Sequence, residues 1–395
     1  MKRTLEIGGV SGLLTGLVEQ KLGHKSLQTC LGCSACSNVC PVSGRAGTDP
    51  CMLLQLILED RQEEALNTPW MWYCSHCASC FSVCPMSIDI PSVVHLLKSF
   101  SSVDMLPLPV QQEIEKWVAT GNSCSMYPDQ YLGLVAKAQD ILRKRTGLKD
   151  ITIPIDKKRA RLLLLIDPAV LKARPSVLAD YATVFHLTGE SWTLPSSPFG
   201  TSDLSLITGR EELGELWLQR IEGLASNLGV DKVILDDCQN RLSPFGPKDG
   251  FKKELESALV TSIPFLVFDY LQSGRLNIKK KACMITTFQQ PCSCPDDQFR
   301  TLIRALLERL CTEVKEMVVP VENSVCCGGG LLRAGLEEQM EAFDAAKALQ
   351  MEKVEADAVI TFCLTCFLQF IRLKGLGFIR QSVLFFPEIL SSALF

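Results

Sequence analysis

Three sets of cysteines carry the residue types and spacings that could do chemistry. The first is Cys30-x-x-Cys33-x-x-Cys36-x-x-x-Cys40-Pro41. The same spacing returns as Cys74-x-x-Cys77-x-x-Cys80-x-x-x-Cys84-Pro85. The third set is Cys292, the pair Cys326-Cys327 followed by Gly328-Gly329-Gly330, and Cys363-Leu364-Thr365-Cys366. The chain holds 19 cysteines, an odd number, and many fall in Cys-x-x-Cys steps. A secreted disulfide scaffold is usually shorter and rarely bunches its thiols, and bridges are strained at such close spacing. Metal ligation in a reducing compartment follows, and with it a cytoplasmic location, with a peripheral place on the inner face of a membrane as the variant of that expectation.

The two repeated runs have the spacing of bacterial ferredoxins, which hold [4Fe–4S] clusters. Two-residue gaps let a tight loop present three thiolates to three corners of one cube, and the fourth ligand comes from elsewhere. In two-cluster ferredoxins the fourth cysteine of each run serves the other cluster. The expected ligand sets are therefore Cys30, Cys33, Cys36 and Cys84 on one cube and Cys74, Cys77, Cys80 and Cys40 on the other. Zinc is the alternative, since paired Cys-x-x-Cys can hold it. Zinc sites rarely use a third such step plus Cys-Pro, and rarely repeat it.

The third set reads as five thiols around one further redox cluster, with Cys292, Cys326, Cys327, Cys363 and Cys366 as the catalytic candidates. Each ligand group follows an expected strand or opens a helix, where α/β sheets place their sites. The glycines after Cys327 would let backbone approach a bulky cluster or substrate. A helix starting at Cys363 would aim its positive end at the thiolates.

These ligands need elements to hold them. The length of 395 residues suggests two or three domains. Hydrophobic content of 47%, charged content of 21% and a net charge of −4 fit a packed protein with no nucleic-acid partner. No transmembrane helix and no signal peptide is expected. Leu13, Leu14, Leu17 and Val18 could form one helical face, for docking a partner or for packing onto the next domain. Residues 1–100 read as a helical domain with two [4Fe–4S] sites, with helices over Pro50–Leu66 and Ser92–Phe100. Trp70, Trp72 and Tyr73 would shield the clusters from water. His76 reads as a plain loop position. Residues 101–157 read as a helical linker ending its helix in the solvated run Arg143-Lys144-Arg145.

From about residue 158 strands and helices alternate, which predicts a parallel α/β layout. Expected strands are Leu162–Ile166, Asp203–Thr208, Val230–Leu235 and Pro264–Phe268, with a helix over Glu211–Leu228. A second set follows over 276–395, with strands at Ala282–Phe288, Val314–Pro320 and Ala358–Phe362 and helices at Asp296–Cys311 and Leu336–Val354. The two sets look like a duplication. Asp231-Lys232-Val233-Ile234 matches Asp357-Ala358-Val359-Ile360, and Asp167-Pro168-Ala169 matches Gln290-Pro291-Cys292. Gly189-Glu190-Ser191-Trp192 takes the place of the double-cysteine loop. Ala169, Asp237 and Asn240 then stand where Cys292, Cys363 and Cys366 would be, so residues 158–275 form a degenerate half without cluster ligands. Cys51, Cys124, Cys238, Cys283, Cys294 and Cys311 are left over as small core residues. Cys294 is an alternative to Cys292 as first ligand, and Cys292 is preferred because it follows proline.

These motifs resemble the catalytic iron–sulfur subunits of heterodisulfide reductases, with the small two-cluster subunit fused to the cysteine-rich, CCG-containing subunit. The resemblance covers nearly all the chain. Its relatives include the iron–sulfur subunits of glycolate oxidase and of anaerobic glycerol-3-phosphate dehydrogenase. It implies an α + α/β fold: a helical, ferredoxin-like domain with two cubane [4Fe–4S] clusters, then a pseudo-duplicated CCG domain. It also implies a noncubane [4Fe–4S] cluster on Cys292, Cys326, Cys327, Cys363 and Cys366. Family members that cleave a heterodisulfide can carry two such cysteine sets, and this chain keeps one.

The function so implied is an iron–sulfur electron-transfer or reductase subunit of a larger oxidoreductase complex. No nucleotide-binding glycine fingerprint is apparent, so a flavoprotein (FAD) partner is expected, with a membrane or quinone-linked subunit as a further candidate. The alternatives are an iron–sulfur subunit of a flavin-dependent hydroxy-acid or glycerol-3-phosphate dehydrogenase passing electrons to quinone, and a non-redox zinc-binding interaction module.

Overall fold

The computed structural model describes residues 13–22, 27–200, 204–236, 260–291, 297–317, 326–333, 336–337 and 340–394. Among the described residues, short helices build the part before residue 100, and further helices with two small parallel sheets build the remainder, an α + α/β arrangement.

The first cysteine run leads into a helix over Pro50–Leu58. Asp49 caps it, accepting a hydrogen bond from the Met52 N–H at 2.9 Å, with Pro50 in the first turn, where a missing N–H costs nothing. The single helix expected over Pro50–Leu66 is two, Pro50–Leu58 and Gln62–Asn67. The break lies at Asp60, whose φ of 59° lies in the left-handed region. Leu53, Leu54, Leu56 and Ile57 bury the inner face of the first helix. The helix Leu13–Leu22 packs there too, burying Leu14 and Val18, and Thr15 donates to the Ile57 carbonyl at 3.0 Å. Packing, not a free docking face, is what that apolar stripe serves.

Residues 101–157 do more than link. The helix Pro128–Thr146 buries Tyr131, Val135, Ala138 and Leu142 in the main core of the α/β region. Of its terminal basic run, Arg143 and Lys144 are solvated, whereas Arg145 pairs with buried Asp180.

Strands β1 (Leu162–Leu165), β2 (Trp192–Thr193), β3 (Lys232–Leu235) and β4 (Val260–Ser262) form one parallel sheet in the order β2-β1-β3-β4. β1 is four leucines, all buried, as a central strand covered on both faces requires. Strands β5 (Ala282–Gln289), β6 (Cys311–Val314), β7 (Ala358–Thr361) and β8 (Ser382–Phe385) form the second, in the order β6-β5-β7-β8. In both sheets the chain leaves the first strand to one side for the second and returns to its other side for the third. That reversal is a topological switch point, where such sheets open a crevice at their carboxyl ends.

Several expected elements differ. Asp203–Thr208 and Pro264–Phe268, read as strands, are the helices Leu204–Thr208 and Ile263–Gln272. Pro264 sits in a first helical turn, and Ile263, Leu266, Val267 and Tyr270 form a buried stripe at helical spacing. β6 ends at Val314, where a strand over Val314–Pro320 was expected to begin. The helix expected over Leu336–Val354 starts at Glu341, after a short helix at Gly329–Arg333. Because the sheets share one strand order, β2 corresponds to β6. Gly189-Glu190-Ser191-Trp192 leads into β2, whereas Cys326-Cys327 follows β6, so the two do not stand at equivalent places. Asp231 and Asp357 do: each donates its N–H to the strand before the matching register, to the carbonyls of Arg161 and Ile285.

Candidate iron–sulfur site

The two cysteine runs share one backbone shape. Gly32 and His76, each just before the second cysteine of a run, have φ of 62° and 54°. Ser34 and Ala78, each just after it, have φ of 58° and 60°. Left-handed residues are uncommon outside glycine. Two in each loop curl the chain tightly enough to turn three thiols inward.

Cys30, Cys33, Cys36 and Cys84 line one cavity, with Leu54, Pro85 and Ile90. Cys51 lines it too, although the sequence suggested an ordinary core position. Cys40 lies instead against the second run: burial pushes its thiol above the ordinary range, and Cys74 and Cys77 add to the push. Cys80 is raised by burial and by Cys77, Cys74 and Cys40. Cys84 thus lies with the first three cysteines of the other run, and Cys40 lies near Cys74, Cys77 and Cys80, with Cys36 close to both Cys40 and Cys80. Trp70 is buried and donates its indole N–H to the Val42 carbonyl at 3.0 Å, while Trp72 and Tyr73 pack partly buried on the same core.

His76 is not a plain loop residue. It is buried, and its Nε2 lies 2.9 Å from the Lys98 ammonium. Lys98 is buried as well, and it donates to the Cys74 carbonyl at 3.4 Å and sits 5.6 Å from the centre of the Trp72 ring.

The described cysteines of the third set come together beyond the carboxyl end of β7. Cys363 is the N-cap of the helix Leu364–Gly375, and Cys366 lies in its first turn, both near the positive end of the helix. The sulfurs of Cys327 and Cys366 are 3.3 Å apart. Cys326, Cys327, Cys363 and Cys366 are all buried, and none of them is in a disulfide. The N–H groups of Gly328 and Gly329 point at the Cys326 and Cys327 sulfurs at 3.3 and 3.4 Å. Cys327 is held well below the ordinary thiol range because the thiols of Cys326 and Cys366 hydrogen-bond to it. A buried set of thiols converging without a disulfide, with N–H groups aimed at the sulfurs, is the donor chemistry an iron–sulfur cluster requires. Cys292, Cys294 and Cys238 lie outside the described residues, as do Asp237 and Asn240.

The glycines serve a closer approach than the one expected of them. A Cβ at Gly329 would fall 2.5 Å from the Thr365 methyl, and one at Gly328 would fall 2.7 Å from the Phe343 ring. They let the double-cysteine loop pack against the Cys363–Cys366 turn. Gly330 has open space around it.

Lys347 was not legible as a site residue. Its side chain is fully buried and donates to the Gln289 and Gln350 amide oxygens at 2.7 and 2.6 Å. The signal was its place on the buried stripe Phe343, Lys347, Gln350, Met351 and Val354, where a lysine is out of keeping.

The third set also touches the second cysteine run. The Ser75 hydroxyl lies 3.5 Å from the Cys326 sulfur, and the Cys77 thiol hydrogen-bonds with Cys326. Cys326, Leu331, Met340 and Phe343 belong to the apolar core of the first hundred residues. Among the leftover cysteines, Cys311 is buried, Cys124 is half-buried, and Cys283 is exposed rather than a core residue.

Fold and thiol geometry together define an iron–sulfur protein. Residues 26–88 match the family model of the 4Fe-4S dicluster domain, and residues 286–371 match that of the CCG cysteine-rich domain. A dicluster domain followed by a CCG domain is the heterodisulfide reductase-like architecture that the motifs resemble. No curated protein matches the chain. Among the described residues no helix is long and apolar enough to cross a membrane.

Proposed function

We propose that this chain is the electron-transfer subunit of a larger oxidoreductase, with two cubane [4Fe–4S] clusters and one noncubane [4Fe–4S] cluster arranged as a wire. Cys30, Cys33, Cys36 and Cys84 would hold the outer cubane, and Cys74, Cys77, Cys80 and Cys40 the inner one. Cys292, Cys326, Cys327, Cys363 and Cys366 would hold the terminal cluster. Bound there, the clusters supply reversible one-electron chemistry. The observation that carries this reading is the contact of Ser75 and Cys77 with Cys326, which leaves no protein layer between the second run and the CCG site. At the other end Cys33 and Leu31 are exposed, a surface at which a partner could exchange electrons.

The residues at the inner end exclude water. Met340, Phe343, Phe367 and Phe370 are buried around the thiols. The common strand order supports a duplication in which the first half has lost its ligands, so the site is one terminus rather than a pair of facing clusters. A flavoprotein is the expected partner, and a quinone-linked subunit is compatible with the same wire. The single ligand set also suits the second reading, service to a flavin-dependent hydroxy-acid or glycerol-3-phosphate dehydrogenase.

Anaerobic purification with iron and sulfide counts and EPR during redox titration tests the wire. About twelve irons per chain, four for each cluster, are expected. About eight irons would leave the CCG site without a cluster and overturn the reading. Co-purification separates the two assignments: a flavin hydroxy-acid oxidase as partner favours the second, and a large pyridine- or ferredoxin-linked flavoprotein the first.

A further inference from the structure

Two lysines are buried among the described residues, one at each inner site. Lys98 is 2% exposed and Lys347 is 0% exposed. Lysine is rarely buried to this degree, because stripping water from an ammonium is expensive. Each lies on the buried face of its helix, Lys98 at helical spacing after Ile90 and Val94, and Lys347 among Phe343, Asp344, Gln350 and Met351. Each is fastened by neutral groups close to ligand cysteines. Lys98 is held by the Cys74 carbonyl, the His76 ring nitrogen and the face of Trp72. Lys347 is held by Gln289 at the end of β5 and by Gln350, with its ammonium 5.8 Å from the centre of the Phe370 ring.

The outer site differs. Its sulfurs meet neutral donors, among them the Gln55 amide, 3.7 Å from the Cys30 sulfur, the Ile88 N–H, 3.4 Å from the Cys84 sulfur, and Ser37 at Cys36.

We propose that Lys98 and Lys347 are positioning charges that raise the reduction potentials of the second cubane and the CCG cluster above that of the outer cubane. The proposal rests on the three-cluster reading above. Reduction adds one negative charge to a cluster and neither makes nor breaks a bond. A fixed positive charge beside it, in a medium of low dielectric, stabilises the reduced form more than the oxidised one. An electron is then held more tightly at the two buried sites than at the exposed Cys33 edge. Each ammonium donates to oxygen acceptors that stabilise its charged form, the Cys74 carbonyl at Lys98 and the Gln289 and Gln350 amide oxygens at Lys347.

The test is an EPR-monitored redox titration of the anaerobically purified whole chain, with iron counted in every sample. Lys98→Gln should lower the midpoint of one cubane signal and leave the other two in place. Lys347→Gln should lower the midpoint of the CCG signal alone. Lys98→Arg and Lys347→Arg, which keep the charge, should return each midpoint toward the unmodified value. If Lys347→Gln loses the third cluster and Lys347→Arg keeps it, the charge is needed to hold the anionic cluster, and the Lys98 variants then decide the claim about potentials. Midpoints unmoved at full iron content would overturn it, as would loss of the cluster from both Lys347 variants. An unmodified chain showing two cubane signals and no third would sink the functional reading instead, and the Lys98 variants would then decide this proposal.

Discussion

Ser75 sets its hydroxyl oxygen 3.5 Å from the sulfur of Cys326, 251 positions further along the chain. This contact joins the loop of the second cysteine run to the double-cysteine loop, and it makes the two sites neighbours rather than separate modules.

Cys326→Ser should remove one cluster and spare two. Total iron should fall from about twelve to about eight per chain, and one EPR signal should vanish. Cys33→Ser, at the outer edge, should remove a cubane signal and keep the CCG signal. The iron count with EPR of each variant checks both.

The glycines after Cys327 should respond unequally. Gly329→Ala places a methyl 2.5 Å from the Thr365 side chain and 2.8 Å from its carbonyl oxygen. Overpacking of this kind costs roughly 1–3 kcal/mol. Gly330→Ala meets nothing within 4 Å, so its stability should be unchanged or slightly raised by the better helix propensity of alanine. Thermal melts of the two variants, run anaerobically side by side, make the comparison.

Stability should fall in acid partly through His95. Burial holds its pKa at about 4, and its Nδ1 sits 3.4 Å from the Leu206 carbonyl. The unfolded chain titrates near 6.5. The folded value is lower, so the unfolded state binds more protons between these limits. The contribution is full above about pH 6.5, declines as pH falls to about 4, and amounts to on the order of 3 kcal/mol. Urea midpoints at pH 7 and pH 4.5 should differ less in His95→Asn than in the unmodified chain.

Asp49→Ala should loosen the first cysteine loop. Asp49 caps the helix Pro50–Leu58 through the Met52 N–H and also accepts from the Ser37 hydroxyl at 2.6 Å, next to Cys36. A lost cap costs about 1 kcal/mol. The expected result is a lower melting temperature and faster loss of one cubane signal on exposure to air, while Asp49→Asn keeps most of both.

Much of the site was legible because short-range spacing dictates it. Two-residue gaps between thiols allow little besides a tight loop around a metal cluster, and Gly32, Ser34, His76 and Ala78 take up the curl that this loop demands. The apolar run Leu162–Leu165 is a buried strand, as expected. The misread strands at 203–208 and 264–268 are short apolar runs, for which period alone cannot separate strand from buried helix. Pro264 was the overlooked signal, since it starts a helix readily and interrupts a strand.

Sequence by itself therefore determined the cysteine sets, their iron–sulfur chemistry and the alternation that builds parallel sheets. Each of these depends on residues close together in the chain. Tertiary structure alone decided that Cys326 meets Ser75 and Cys77, that Cys51 lines the outer site, and that His76, Lys98 and Lys347 are buried around the inner ones. Those facts depend on which helix faces pack together across hundreds of residues. A lysine on a helix carries the same local pattern whether its stripe faces water or a cluster, and only the packing settles which.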